Sequence, residues 1–289
     1  MVNVFDMSWG RFKLALSERT YIMAILNRTP DSFSDGGLCM REDDAVERAF
    51  SMVSEGADII DIGGESSRPG AQPVSVREEL ARVIPVIRRV ANEIDIPISI
   101  DTCKSEVAKE AIQNGASIIN DITGLEGDQR IRKVAREFDV PVVIMHMKGT
   151  PATMQLDPIY NSLIDDMLSS LKHSIELAKE AGIDERRIII DPGIGFGKTA
   201  GHNLKILNNL ESFKALKMPI LIGVSRKSYI ASILTENNLS MEEIEATGKL
   251  MGTAASSAIV IIKGANIIRA HDVKEAVQAA RIADAIARS

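Results

Sequence analysis

The feature that most constrains the fold of this chain is a strand-like pattern that occurs eight times. In each unit a short apolar segment ends in a polar residue and is followed by a loop and a longer segment with helical spacing. The predicted strands are residues 22–27, 59–62, 98–101, 117–121, 142–146, 188–191, 220–224 and 267–269. Helical spacing is clearest over residues 43–55, 76–93, 104–114 and 159–181.

Units of this kind predict an α/β protein folded as a single (β/α)8 barrel. Parallel neighbours need a crossover connection, and eight such strands close the sheet on itself. A doubly wound open sheet is the competing architecture, but no GxGxxG fingerprint follows the first strand. The barrel is therefore the favoured prediction, with long loops after its first and second strands.

Length and composition are compatible with one domain over residues 1–289. α/β barrels routinely reach about 250 residues as one domain, so the length does not require a second one. Hydrophobic residues make up 45% of the chain and aromatic residues 4%, so the core has to be built largely from aliphatic side chains. We expect the segment before the first strand, residues 1–20 with Trp9, to cover the barrel floor.

Charge and cysteine usage exclude several classes of protein. The net charge is −6 and the two signs are mixed along the chain, which leaves no basic stripe for nucleic acid and no polybasic patch for a membrane. Cys39 and Cys103 have neither metal-ligand nor CxxC spacing. The first 21 residues contain no apolar run long enough for a signal or membrane segment. We therefore expect a soluble, cytoplasmic protein that acts on small molecules.

Nearly every predicted strand ends in a side chain that can bind a ligand. In a barrel these ends share one rim, where barrel enzymes have their active sites. For Asp61 or Asp121 alone, capping of the next helix is an equally good interpretation, and for Asp272 it is the favoured one. Capping does not account for the whole set. Its members are Asn27, Asp61, Asp101, Asn120, Asp121, His146, Asp191, Ser225, Arg269 and His271.

Two loops have compositions typical of substrate-binding segments. Residues 27–37 combine small polar side chains with Phe33 and end in two glycines, which favours a hinged lid. Residues 61–71 offer glycines, hydroxyl groups and Arg68, which predicts an anion-binding loop. Turn-forming connectors remain an alternative for both loops. The seventh strand is followed by Arg226 and Lys227, one of which we expect at the surface.

At these positions the sequence resembles the dihydropteroate synthase family. The matching motifs occur in order and at barrel spacing. They are ILNRTPDSFSDGG (25–37), DIGGESSRPGA (61–71), SIDTCK (99–104), IINDI (118–122), IMHMKGTPATMQ (144–155), DPGIGFGK (191–198), GVSRKS (223–228) and IRAHDV (268–273). The resemblance implies a transferase that condenses 6-hydroxymethyl-7,8-dihydropterin pyrophosphate with p-aminobenzoate in folate biosynthesis, and that is a target of sulfonamides.

The resemblance also implies roles for individual residues of these motifs. Catalytic roles fall on Asp101, Asp191, Lys227, Asp35 and Phe33. The pterin pocket would consist of Asp101, Asn120, Met145, Asp191, Gly223, Lys227 and Arg269. The pyrophosphate and p-aminobenzoate would be held by Asn27, Ser67, Arg68, Pro69, Phe196, Ser228, Arg269 and His271. Mg²⁺ is the implied cofactor, and Asn27 is its implied protein ligand.

The implied mechanism is dissociative. Pyrophosphate leaves first, and the amine of p-aminobenzoate attacks the pterin methylene cation that remains, which Asp101 and Asp191 stabilise with negative charge. The family also implies a homodimer formed by helices near the carboxyl end, such as residues 251–263. The departures from the family pattern are Arg28, Ser67, Cys103 and Ala270. By strand alternation the Arg28 side chain should face away from the pocket.

Two other functions remain open at this point. A methyltransferase that uses a methylated folate shares the pterin-contacting Asp, Asn and Asp residues. It has no pyrophosphate, however, for the SFSDGG, GESSRPG and SRKS segments to bind. A catalytically silent pterin-binding paralogue is disfavoured because the anion-binding and pterin-binding residues are intact. Turnover of the purified protein separates these functions.

Overall fold

The computed structural model describes residues 5–29, 41–287 and 289, and strands and helices alternate along it. The strands are β1 (Asp6–Trp9), β2 (Phe12–Ala15), β3 (Tyr21–Asn27), β4 (Ile59–Gly63), β5 (Ile98–Asp101), β6 (Ile118–Asp121), β7 (Val142–Met145), β8 (Ile188–Asp191), β9 (Leu221–Ile222) and β10 (Ile267–Ala270). The helices are α1 (Glu42–Ser54), α2 (Val76–Ala91), α3 (Ser105–Gln113), α4 (Arg130–Phe138), α5 (Leu163–Glu180), α6 (Ala200–Asn208), α7 (Ser228–Glu236), α8 (Met241–Glu243), α9 (Lys249–Ile262) and α10 (Val273–Ala287).

Eight parallel strands form the central sheet, in the order β8-β7-β6-β5-β4-β3-β10-β9. A bridge between Ile190 of β8 and Ile220, just before β9, brings the two edges together and nearly closes the sheet. The predicted α/β barrel is therefore confirmed. Because all eight strands run in one direction, their carboxyl ends meet at one rim.

The core is aliphatic, as the composition predicts. Barrel strands are covered by helices on one side and by the barrel interior on the other, so they read as continuous apolar runs. The fully buried strand residues include Ile22, Ile59, Ile60, Ile98, Ile100, Ile118 and Ile119. The helices bury one face only, and α2 packs Val83, Val86, Ile87 and Val90 inward.

The observed elements agree closely with the predicted ones, with two clear exceptions. β5 and β8 begin and end at the predicted residues. The predicted strand at 220–224 is shorter, because the backbone leaves the sheet after Ile222 and reaches a φ of +55° at Arg226. The helix predicted from residue 159 begins at Leu163. The Asp166 carboxylate accepts hydrogen bonds from the backbone N–H groups of residues 161 and 162, and these bonds hold the two residues in the loop before the helix.

The first two strands form an antiparallel hairpin at the end of the barrel opposite the rim. Trp9 Nε1 donates a hydrogen bond at 2.8 Å to the carbonyl oxygen of Ser117, the residue before β6. Met7, Trp9 and Leu14 are buried there. Sequence periodicity does not predict these strands, because four-residue segments are too short to show a clear period. Among the helices of the described residues, none is both long and apolar enough to cross a membrane.

Candidate active site

Arg269 lies at the rim and connects three strands of the barrel. From β10 its guanidinium donates to Asp61 of β4 (Nε to Oδ2, 2.6 Å) and to Asp101 of β5 (Nη2 to Oδ2, 2.7 Å). Asn120 of β6 donates through Nδ2 to the same Asp61 oxygen at 3.1 Å. Strand-end residues from four different strands are thus joined in one network.

Burial affects the protonation of Asp101 in this network. Burial raises the pKa of Asp101 to about 7, Arg269 opposes this shift, and the negative charge of Asp61 adds to it. Asp61 has no exposed surface, and its Oδ1 atom has no hydrogen-bond partner within the part of the chain that the structure describes. Unpaired buried polar atoms are costly. The carboxylates at the rim therefore have more acceptor capacity than the Arg269 guanidinium and the Asn120 amide satisfy.

Asp191 ends β8 and is followed by a glycine-rich loop, residues 192–198. Its Oδ1 accepts a hydrogen bond from Gly193 N at 2.7 Å, and burial raises its pKa. Met145 of β7 is its partner in the parallel register and is buried. A Cβ added at Gly193 would lie 3.1 Å from Met145 Cγ and 2.1 Å from the carbonyl oxygen of His146. Only glycine therefore fits where this loop crosses β7.

Lys227 enters the site from the loop after β9. Its Nζ lies 4.4 Å from the centroid of the Phe196 ring, a cation–π contact. Burial lowers the pKa of its ammonium group to about 8, although Asp191 counteracts this shift. Arg226 instead pairs with Asp272 at 2.5 Å, and half of its side chain is exposed. The prediction that one of these two cations is at the surface is confirmed, and Lys227 is the one in the site.

Ser225 and His271 join the segments that follow β9 and β10. The Ser225 hydroxyl oxygen lies 3.0 Å from His271 Nδ1 and accepts a hydrogen bond from His271 N at 3.2 Å. Burial lowers the pKa of His271 to about 3, and Arg269 lowers it further. The imidazole is therefore neutral at pH 7 and acts as a hydrogen-bonding group, not as a cation. Gly223 is half-buried beside Arg269, and Ser228 is exposed at the first turn of α7, where a helix favours anions.

The loop after β4 carries Ser67, Arg68 and Pro69. Ser67 is half-buried, while Arg68 and Pro69 are exposed. The N–H group of Gly70 donates to the carbonyl oxygen of Pro151 at 3.0 Å, which ties this loop to the one after β7. The predicted anion-binding loop thus follows β4 at the rim, with the Ser67 side chain half-buried and Arg68 exposed.

Below this loop lies an ion cluster of Glu65, Lys104 and Glu79. Lys104 pairs with Glu65 and, at 2.5 Å, with Glu79, which has no exposed surface. The cluster fixes the start of the loop to α2. Burial raises the pKa of the adjacent Cys103 thiol to about 12, so this cysteine is not a nucleophile at pH 7.

Asn27 ends β3 at the same rim. A Cβ added at Gly63 would lie 3.4 Å from Asn27 Oδ1 and 3.5 Å from Asp101 Cβ, so the two side chains are close neighbours. The next side chain, Arg28, points away and donates to the carbonyl oxygen of Arg82 in α2 at 2.6 Å. This orientation agrees with the one that strand alternation predicts.

The hydrogen bonds of Asp121, Asp61 and Asp272 show whether each carboxylate caps a turn or belongs to the network at the rim. Asp121 accepts hydrogen bonds from Thr123 N at 2.8 Å and Leu125 N at 3.1 Å, so it fixes the turn after β6 and has a structural role. Asp61 belongs to the network at the rim, although the predicted site omitted it. The carboxylate of Asp272 pairs with an arginine, so the cap favoured for it is not its main contact.

Comparison with known proteins assigns these features to a family. The family model of pterin binding enzymes matches residues 23–271, which include all the rim residues described above up to His271. The dihydropteroate synthase of Clostridium beijerinckii is 47% identical over 283 residues, which cover 98% of this chain and 100% of that protein. The chain belongs to the dihydropteroate synthase family.

Solved structures of dihydropteroate synthases share the fold. The Yersinia pestis enzyme, solved with a sulfonamide drug complex, has a TM-score of 0.91 at 41% identity and covers 98% of this chain and 100% of its own. The Xanthomonas albilineans enzyme, solved with 4-aminobenzoic acid, has a TM-score of 0.87 at 38% identity, with 98% of each chain covered. Two residues with predicted catalytic roles, Phe33 and Asp35, lie outside the residues that the structure describes.

Replacing Gly193 by Ala should destabilise the protein. The φ of +70° and the contact at 2.1 Å with the His146 carbonyl force the loop to move. We expect a loss of about 2 kcal/mol or more in the free energy of unfolding, measured by urea denaturation followed by circular dichroism. Gly201→Ala in α6 is the matched control, since its Cβ meets only Thr199 Oγ1 at 3.9 Å. Equal stability of the two variants would contradict this account.

Proposed function

We propose that this protein condenses 6-hydroxymethyl-7,8-dihydropterin pyrophosphate with p-aminobenzoate to give 7,8-dihydropteroate and pyrophosphate. The proposal rests on the network that contains Asp101, Asn120 and Arg269. This network brings together, at one rim, hydrogen-bond acceptors and donors that match the edge of a pterin. Relatives with the same activity in their names cover 98% and 94% of the chain, which favours this reaction over methyl transfer and over silent pterin binding.

The pterin edge matches the side chains that we assign to it. A pterin presents an amino group and ring N–H groups next to a carbonyl oxygen. Two carboxylates, Asp101 and Asp191, accept from the N–H groups, Asn120 both donates and accepts, and Lys227 donates to the carbonyl oxygen. The planar guanidinium of Arg269 can stack on the ring face. Met145 and Gly223 complete the pocket as small or apolar contacts.

The reaction breaks the bond between the pterin methylene carbon and a pyrophosphate oxygen and forms a bond from that carbon to the arylamine nitrogen. Pyrophosphate departs with the bonding electrons, and the nitrogen releases one proton after it has attacked. Asp101 and Asp191 stabilise the positive charge that develops on the pterin, because preorganised charge acts strongly in a site shielded from water. No nucleophilic side chain is required, which suits a chain whose Cys103 stays protonated.

We assign the binding of pyrophosphate and of p-aminobenzoate to the loops around this pocket. Ser67, Arg68, Ser228 and His271 supply hydroxyl, cationic and neutral imidazole donors for the pyrophosphate. Phe196 and Pro69 supply the apolar walls for p-aminobenzoate. This assignment is supported by the position of Phe196, whose ring contacts Lys227 and so borders the pterin pocket.

The residues at the rim fit a bound Mg²⁺. The side-chain amide of Asn27 makes no hydrogen bond within the described residues and lies next to Asp101. No group of three or more His, Cys, Asp or Glu side chains in the described ranges could hold a metal by itself. One amide oxygen together with substrate phosphates and waters is a donor set that Mg²⁺ accepts. When bound, Mg²⁺ would neutralise charge on the pyrophosphate.

Pyrophosphate release by the purified protein tests the proposal. With both substrates and Mg²⁺, pyrophosphate and dihydropteroate should appear in equal amounts, and omission of p-aminobenzoate or excess chelator should abolish product. Lys227→Met should lower kcat/KM for the pterin at least about tenfold, because a charged hydrogen bond is lost. Arg226→Met is the matched control and should change it little. Pterin binding without turnover, or methyl transfer, would refute the proposal.

Two shifted pKa values determine the expected pH dependence. Binding needs Asp101 as a carboxylate, with a pKa of about 7, and Lys227 as an ammonium, with a pKa of about 8. As the pH rises through 7, Asp101 loses its proton and pterin binding improves; as it rises through 8, Lys227 loses its proton and binding weakens. kcat/KM for the pterin should therefore peak between these values. The alkaline decline should be absent in Lys227→Met, and a decline that persists there would exclude Lys227 as its cause.

We also propose that the protein forms a homodimer through α9 and α10. These helices pack on each other and expose large apolar side chains, which monomers rarely do in contiguous patches. The exposed residues are Met251, Ile259, Ile262, Ile282 and Ile286. Ile282→Asp should convert the dimer to monomer in light scattering after gel filtration. Leu156→Asp, at a position that is also exposed but lies in the loop after β7, should leave it a dimer. A monomeric wild-type protein would contradict the proposal.

A further inference from the structure

Lys198, at the end of the glycine-rich loop, is a buried lysine that the proposed reaction does not use. It is 2% exposed. Its Nζ lies 2.9 Å from His146 Nδ1, 3.2 Å from the carbonyl oxygen of His146 and 2.8 Å from the carbonyl oxygen of Phe196. One ammonium group therefore joins the end of β7 to the main chain of the loop.

The three contacts match the three donors of an ammonium group. In the charged form of Lys198, His146 Nδ1 must accept, so the neutral imidazole carries its proton on Nε2. Burial lowers the pKa of Lys198 to about 7 and that of His146 to about 3, which keeps the histidine neutral. A buried cation is costly unless all its donors are satisfied, as they are here. The cost of burying this charge indicates that the contacts of Lys198 hold part of the structure in place.

Several hydrogen bonds hold the glycine-rich loop, and Lys198 makes the one at the Phe196 carbonyl. Gly193, Gly195 and Gly197 of this loop all have positive φ. Glycine loses more backbone freedom on ordering than other residues do, so fixing this loop has an entropic cost. Neighbouring elements fix the peptide groups on either side of Phe196: Asn203 accepts from Gly195 N at 2.8 Å, and Tyr160 donates to the Gly197 carbonyl at 2.8 Å. The carbonyl of Phe196 itself is held by Lys198.

We infer that Lys198, itself held by His146, is a positioning residue that fixes Phe196 as a wall of the p-aminobenzoate slot. The inference rests on the proposed function. A shift of the Phe196 main chain would move its ring relative to Lys227, to which the ring lies at 4.4 Å, and so change the shape of the slot next to the pterin. Lys198 acts through Phe196 and does not touch the substrate.

Kinetics of Lys198→Met separate positioning from a merely structural role. The KM for p-aminobenzoate should rise about tenfold, while the KM for the pterin pyrophosphate should change less than about threefold. Lys205→Met, at an exposed position of α6, is the matched control and should change neither value. Equal increases in both KM values, or no increase in either, would overturn the inference.

A pair of substitutions at His146 tests the same contact while Lys198 is kept. In His146→Asn the amide oxygen can take the place of Nδ1 as acceptor, whereas His146→Leu removes the acceptor. Asn should therefore preserve the KM for p-aminobenzoate, and Leu should raise it in the same direction as Lys198→Met. This pair keeps the inference testable if Lys198→Met folds poorly. Identical KM values in the two variants would contradict it.

A double substitution asks whether Lys198 acts through the ring of Phe196. In a Phe196→Ala background, Lys198→Met should have little further effect on the KM for p-aminobenzoate, because the wall that it positions is already gone. Full additivity would overturn the inference. A wild-type protein that releases no pyrophosphate would refute the proposed function and this inference with it, whereas an active wild type whose variants show no selective effect would refute this inference alone.

Discussion

The ion pairs of Arg269 with Asp61 and Asp101 are the interaction on which the mouth of the barrel depends. A closed parallel sheet brings the ends of its strands into contact, so carboxylates placed there are buried beside one another. They repel strongly in a medium of low dielectric constant unless a cation lies between them. Removing one partner of a buried pair typically costs about 3–5 kcal/mol, because an unpaired charge remains. Arg269 therefore allows Asp61 and Asp101 to be buried close together at the rim.

The same network leaves the pocket ready for a ligand that is rich in N–H donors. Asp61 Oδ1 has no partner within the described residues, and Asp101 keeps a pKa of about 7 in spite of its bond to Arg269. Acceptors buried in a medium of low dielectric constant gain more from a ligand's N–H groups than exposed carboxylates would. Since they lie on strands, they are held in place before a ligand arrives.

Strand periodicity predicted the barrel and most of the residues at its rim. It did not decide whether Asp61 and Asp121 bind a ligand or cap a helix, and the reason is physical. Asp121 and Asp61 both stand near strand ends and look alike in the sequence. Alternate residues of a strand point to opposite faces, and Asn120 faces the barrel mouth, where it donates to Asp61; its neighbour Asp121 must therefore face outward to the next turn. The hairpin β1–β2 was missed because strands of four residues have no distinctive period, and Lys198 because burial of a lysine depends on partners distant in sequence, here His146.

The two substrate pockets that we propose differ in what holds them. Most of the proposed pterin residues, among them Asp101, Asn120 and Arg269, stand on strands, whose positions the hydrogen-bonded barrel fixes. Phe196 and Pro69 stand on loops, whose positions depend on individual hydrogen bonds: from Lys198 to the Phe196 carbonyl, and from Gly70 to Pro151. A change in one such contact shifts a loop by little and leaves the barrel intact, whereas a change in a strand-end charge disturbs the network around Arg269. We therefore expect substitutions at the loop contacts to change recognition of the arylamine more readily than recognition of the pterin.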